Sequence, residues 1–412
     1  MSNKTLSATP LKAFSCWTAK YYFSKLYLST IKNRTKVSTC NTIKIRYNRV
    51  MTTIFPFIGS AFVFLIIAIA GIEICKKRKI LDRPGADVPV RPRVPNMQGV
   101  FLIIAFFATT ALFFPSYYNE PAFLGLAVWG GFIMLFSVVD TILESYFQSG
   151  IKAKYRLVLQ VIAWLIALWV WGVGIQEFVI SGDFTWVLSW GVATILTVLW
   201  FMWFMNAINW FDGINGLASW ISTIWFATVY FLLQWVVLPY YSNVITPESM
   251  ATLSMTTNIA FLLTLWWIVY TTIEYKPIGL LRDIGIVFYW YALAYLSLLW
   301  GAKIGTLLVV LSLPIFDSIW VFINRIFVMK KNPMKKDWTH LHYRLMALWR
   351  SRSEVRWFVR WWSVFFMIIM LLQDTNRMSK IIIFVLMAAI FFGVNIYLFW
   401  VKKLPMEYKV KK

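Results

Sequence analysis

Ten polar side chains stand out in a chain otherwise dominated by apolar residues: Asp82, Asp140, Asn206, Asn209, Asp212, Asp283, Asp317, Asp337, His340 and His342. Each falls in or beside a break between apolar runs. Acids at such places are costly, and that cost usually marks function. An acidic set near basic residues suits a divalent cation clamped between protein carboxylates and a substrate diphosphate. Mg²⁺ is the usual hard cation in that role. For any one Asp the plainer reading is a helix-end cap or a solvated loop charge, but that reading does not suit the whole set.

Two segments are the most specific. Asn206-Ala-Ile-Asn-Trp-Phe-Asp-Gly-Ile-Asn-Gly-Leu-Ala218 sets two amides and an acid at a helix end, followed by two glycines that permit close backbone approach. Asp337-Trp-Thr-His-Leu-His-Tyr-Arg-Leu345 holds both histidines of the chain. Asp337-x-x-His340-x-His342 has the look of a zinc site, but no third strong ligand at metal spacing is near. Imidazoles and Arg344 beside phosphate fit better.

The elements that must position these groups are membrane helices. Of 412 residues, 60% are hydrophobic and only 14% are charged, against roughly 25% charged in a soluble domain. That balance excludes an ordinary soluble enzyme, a disordered chain and a disulfide scaffold. Cys16, Cys40 and Cys75 form no CxxC pair, so neither a zinc ribbon nor a disulfide framework is indicated. The expected fold class is all-α, a polytopic integral membrane protein. Runs long enough to span fall at 52–75, 98–118, 122–139, 157–180, 184–208, 217–239, 251–273, 284–300, 303–327, 356–372 and 380–401, about 11 helices at roughly 20 residues each.

The net charge of +23 is read as basic cytoplasmic loops and not as nucleic-acid binding. With 76–97 inside, the same side holds 140–156, 209–216, 274–283, 328–355 and the tail after 401. That side carries about 24 Lys and Arg, whereas the opposite loops carry Arg377, with Lys303 and Lys380 at helix edges. The polar set therefore shares the cytoplasmic face. Residues 1–50 hold ten Lys and Arg and no acid. They read as a basic extension, either an over-called start before Met51 or a targeting arm. Residues 51–401 form the multi-helix domain and 402–412 a basic cytoplasmic tail.

With these motifs in this order, the sequence resembles the polyprenyl-phosphate N-acetylhexosamine-1-phosphate transferases of the MraY/WecA type, collinearly over about 51–350. The family's first cytoplasmic loop is matched by Asp82, Pro84, Arg91, Arg93, Pro95 and Gly99. Its "DD" is matched by Asp140, and the following basic residue and Gln by Lys154 or Arg156 and Gln160. "NAxNxxDGxDGLA" is matched by Asn206, Asn209, Asp212, Gly213, Gly216 and Leu217, and "GDxGS" by Asp283 and Gly285. The last motif is matched by Pro314, Asp317, Arg325, Pro333, Asp337, His340, His342 and Arg344. The "HLHxRL" form is similar to the WecA/TagO branch.

The resemblance implies transfer of a sugar-1-phosphate from a UDP-N-acetylhexosamine to a polyprenyl (undecaprenyl) phosphate in the inner (plasma) membrane, releasing UMP. Phospho-N-acetylmuramoyl-pentapeptide transfer is the neighbouring alternative. It also implies Mg²⁺ on Asp283 and Asp140, and Asp82 or Asp140 as proton acceptor or orienter of the nucleophile. Asn206, Asn209 and Asp212 would lie on the nucleotide side. His340, His342 and Arg344 would grip the diphosphate. Arg91, Arg93 and Lys154 would favour the anionic substrates. A homodimer is an open partner state.

The sequence departs from the family at Gln98, Thr141, Asn215, Arg282, Ile286 and Tyr343. Thr141 offers a metal a hydroxyl but no charge, and with the eroded "GDxGS" it carries the alternative of a non-catalytic member that binds carrier or nucleotide without turnover. Trp220 and Trp290 stand where the family usually has Gly. They are expected either to face lipid or to reflect codons misread as Trp. Arg356 and Arg360, beside Trp357, Trp361 and Trp362, read as an anchor at the membrane surface.

Overall fold

The computed structural model describes residues 39–81, 93–95, 97–147, scattered positions from 151 to 175, 177–181, 184–211, 214–241, 245–275, 278–279, 281–299, 304–332, 339–348, 351–372 and 377–404. The chain divides into Met1–Ile54 and Phe55–Lys412, and the second unit carries the helical bundle. Its helices, in order, are α1 (Thr39–Lys77, begun in the first unit), α2 (Gln98–Phe113), α3 (Pro121–Phe147), α4 (Trp190–Phe211), α5 (Leu217–Leu232), α6 (Leu238–Tyr241), α7 (Pro247–Tyr275), α8 (Arg282–Leu299), α9 (Ile304–Val310), α10 (Ser312–Ile323), α11 (Leu341–Leu348), α12 (Arg352–Leu372) and α13 (Arg377–Asn395).

Among the described residues six helices are long and apolar enough to cross a membrane, or seven when a bent pair counts as one span. Together with three shorter apolar helices, Gln98–Phe113, Trp190–Asn206 and Val287–Leu299, they follow ten of the expected runs. In the run at 157–180, the described residues up to 168 are helical and 177–180 lie in the strand described next.

One stretch departs from the expectation of helix. Residues 177–187 form an antiparallel hairpin, β1 (Glu177–Ser181) with β2 (Phe184–Val187), in which Ser181 pairs with Phe184. Phe, Val, Ile, Thr and Trp on either side of Gly182-Asp183 are strand formers around a two-residue turn signal. Their high apolarity hid that pattern in a hydropathy reading, so the helix begins at Trp190 and not near 184.

The bent pair joins α9 to Ser312–Val328 at 71°. The break falls at Leu311, and Pro314 sits in the first turn of the second half, where its missing N–H costs no helical bond. Asp317 lies one turn further on.

α8 is the central element. Its residues from Phe288 to Ser297 are all within 1% of full burial. Three of its tyrosines donate to backbone carbonyls of neighbouring helices: Tyr289 Oη to Leu102 at 2.9 Å, Tyr291 Oη to Gly125 at 3.1 Å and Tyr295 Oη to Ala122 at 2.9 Å. A buried phenol needs a partner where no water competes, and a helix carbonyl can accept a second bond. Against α3, a Cβ at Gly130 would lie 2.5 Å from the Phe288 ring, so that approach requires glycine. Around α8 the core is aromatic, with Phe64 stacked on Trp266 at 4.6 Å and Trp164 on Tyr291 at 4.6 Å. By contrast, α12 and α13 are only 22% and 17% buried over their most apolar windows, which puts them at the periphery.

Trp290 does not face lipid, contrary to one of the two expectations for it. Trp290 is fully buried and donates Nε1–H to Ser222 Oγ at 3.0 Å. Trp220 is half-buried, with the Arg360 guanidinium 4.9 Å from its ring centre.

Candidate active site

At two of the breaks between helices the chain packs closely: the Gly216 backbone lies close to that of Tyr275, and Gly279 lies against Gln98. Three groups of polar side chains are fixed near helix ends.

The first holds the histidine segment. Asp317, 1% exposed, accepts from His340 Nδ1 at 3.0 Å on one carboxylate oxygen. On the other it accepts from the Leu341 amide at 2.7 Å and from Arg344 Nη2 at 2.7 Å. Arg344 also donates to Asn395 Oδ1, and its guanidinium lies 5.7 Å from the Trp320 ring centre and 5.0 Å from that of Phe399. Arg325 Nη2 reaches Thr339 Oγ1 at 3.4 Å and faces His340 Nε2 at 3.5 Å. A charged pair this deep holds because both ions are further hydrogen-bonded.

His342 is fully buried, with its ring nearly parallel to that of His340 at 6.1 Å and against Tyr343 at 4.0 Å. Burial pushes its imidazole down to about 3, and His340 and Arg344 add to the effect over the opposing pull of Asp317. His342 is therefore a neutral ring at physiological pH. Arg344 is likewise lowered by burial, against the pull of Asp317. Sequence reasoning set His340, His342 and Arg344 together against a diphosphate. The structure brings the three together, but it turns Arg344 toward Asp317 and Asn395 and buries His342.

The second group lies at the ends of α3 and α4. Asp140, 5% exposed, accepts from the Ile151 amide at 2.6 Å and so ties α3 to the chain that comes after it. Asn206 Nδ2 donates to Gln160 Oε1 at 3.1 Å and to the Met202 carbonyl at 2.8 Å. The third group surrounds the turn before α5, where Gly216 holds φ +75° as the residue that opens the helix. That left-handed conformation is why glycine stands there.

Of the other expected residues, Arg93 is exposed beside the bridge between Leu81 and Pro95 that closes the first loop. Asp82, Arg91, Lys154, Asp212 and Asp337 lie outside the described residues, as do the side chains of Thr141, Asn209 and Asp283. The backbone of Asp283 is in the first turn of α8. Among the described residues no three His, Cys, Asp or Glu side chains gather around one point. The expected donors are all carboxylates, the hard oxygen ligands that fit Mg²⁺, and Asp140 is held in place with one oxygen on a backbone amide.

Asn395 and Glu274 were missed from the sequence. Each is a polar residue inside an apolar run, 5% and 3% exposed, and that isolation was the available signal.

A bundle with six helices long and apolar enough to cross a membrane is that of a polytopic membrane protein. Residues 123–272 match the family model of glycosyl transferase family 4. The chain is 28% identical over 310 residues to a probable undecaprenyl-phosphate N-acetylglucosaminyl 1-phosphate transferase of Bacillus subtilis (strain 168), covering 73% of this chain and 78% of that protein.

Proposed function

We propose that this protein transfers N-acetylhexosamine-1-phosphate from a UDP-sugar to undecaprenyl phosphate or a similar polyprenyl phosphate, a membrane step of cell-envelope glycan synthesis. The observation that carries the reading is the likeness to the Bacillus transferase over 73% of the chain, joined to a family match that includes the Asn206–Leu217 segment. An oxygen of the lipid phosphate attacks the β-phosphorus of the nucleotide sugar. The bond from that phosphorus to the bridging oxygen breaks, and UMP leaves with the electron pair.

In such a reaction the protein mainly positions groups and neutralises charge. Asp283 and Asp140 would hold Mg²⁺, which supplies charge neutralisation on the diphosphate when bound. Asp82 or Asp140 takes the proton of the lipid phosphate or orients it. Asn206, Asn209 and Asp212 hold the nucleotide, and the Gln160 bond fixes the Asn206 amide. Arg91, Arg93 and Lys154 attract the anionic substrates. His340 meets the diphosphate from a loop that Asp317 and Arg344 keep in register. The Lys and Arg asymmetry supports a site on the cytoplasmic face of the plasma membrane.

The test is transfer of radiolabelled sugar phosphate from UDP-GlcNAc to undecaprenyl phosphate, with Mg²⁺, by membranes carrying the protein. Label in the lipid fraction and UMP in equal amount are expected. Tight binding of UDP-GlcNAc without turnover would instead favour a non-catalytic member.

A further inference from the structure

Arg356 and Arg360 lie one helical turn apart at the start of α12, on the face turned to α5. Both reach back into the fold. Arg356 Nη1 donates to the Asn215 carbonyl at 3.1 Å, and Arg360 Nη2 donates to the Gly216 carbonyl at 3.4 Å. Both guanidinium groups are seated on rings: Arg356 lies 4.4 Å from the Tyr275 ring centre, and Arg360 lies 4.9 Å from that of Trp220 and 6.0 Å from that of Tyr275. Neighbouring Trp357 and Trp361 stay 54% and 64% exposed, whereas the arginines are partly buried. From the far side, buried Glu274 lies beside Ser219 and the Gly216 amide. The turn that carries the left-handed Gly216 is thus held through its carbonyls by α12.

We propose that Arg356 and Arg360 are positioning residues that fix the Asn215–Gly216 turn, and through it the nucleotide-binding segment that precedes it. The proposal rests on the reading of Asn206–Leu217 as the nucleotide side of the site. A guanidinium suits the task because it donates in a fixed plane while its face stacks on an aromatic ring. It reaches the turn from α12, which joins the histidine segment through a short link, so both halves of the site share one support. The turn itself offers only main-chain atoms to this support, and side-chain motifs therefore do not reveal it.

The experiment compares the full chain with the Arg356→Ala/Arg360→Ala and Arg356→Lys/Arg360→Lys variants in membranes and in detergent. Amide hydrogen exchange over 214–218 should speed up by about tenfold or more in the Ala variant, as expected for loss of charge-assisted bonds. The KM for UDP-GlcNAc should rise by about tenfold, the KM for undecaprenyl phosphate should change less than twofold, and the Lys variant should recover most of both effects. Unchanged exchange at 214–218 overturns the proposal whether or not transfer is seen. So does an equal rise in both KM values, which would make the arginines headgroup contacts. Faster exchange in the Ala variant, with no sugar transfer even by the parent chain, would leave the turn-holding role standing and remove the reading of function instead.

Discussion

Asp317 and Arg344, 27 positions apart in the chain, are joined at 2.7 Å with both side chains 1% exposed. One sits on the bent helix pair and the other on the short helix α11, so this ion pair, with the His340 and Leu341 bonds to the same carboxylate, ties the histidine segment to the membrane-embedded part of the fold.

Removing one partner leaves a buried charge uncompensated. Asp317→Asn and Arg344→Met should each lower stability by about 3–5 kcal/mol. The double variant should lose clearly less than the sum, because two residues in contact couple. Denaturation midpoints of detergent-solubilised protein measure this. Simple additivity would show that the pair contributes no specific support.

His342 gives the segment a pH dependence. Its imidazole is held down to about 3 in the folded protein, against about 6.5 when unfolded. Between those values the unfolded chain binds a proton that the folded chain does not, so stability is fully present above about 6.5 and falls as the pH drops toward 3. Going from pH 7.5 to 5 should cost about 2 kcal/mol through this residue alone. The His342→Gln variant should lose that part of the slope. Parallel melting curves of the two proteins against pH would refute the assignment.

Asp283 stands in the first turn of the central helix α8. Under the proposed function, Asp283→Asn removes a formal charge with little change of shape. Transfer should fall by roughly a hundredfold or more, while the amount of protein in the membrane stays constant. Near-normal turnover would take Asp283 out of the metal site.

Trp290 is fully buried and bonded to Ser222. Trp290→Gly should cost about 3–5 kcal/mol through the cavity it opens. Trp290→Phe should cost about 1–2 kcal/mol, mostly from the indole bond. If the Gly variant were the more stable in a detergent melt, glycine would be the residue this position was built for.

The polar set was legible in the sequence because a membrane makes each carboxylate, amide and imidazole an exception against an apolar background. Pro314 and Asp317 belong to the last motif, and the helix break lies just before them, at Leu311. What the sequence withheld was partnership. Nothing in the spacing of Asn395 connects it to Arg344, since that contact depends on how peripheral helices pack. The hairpin at 177–187 was concealed because hydropathy weighs Val and Ile alike in strand and helix. Arg356 and Arg360 looked like an anchor because their neighbours are tryptophans, and main-chain carbonyl acceptors have no signature in a sequence.

The three tyrosines of α8 have a mechanical consequence. Tyr289 and its two companions bond to carbonyls on two different helices, in surroundings where no solvent can stand in for a lost acceptor. Sliding α8 along its axis by one turn would strip all three phenols at once, so the helix is keyed in its bearing like a shaft. Any movement of the bundle must therefore travel through its lightly buried rim, with α8 as the stationary axle.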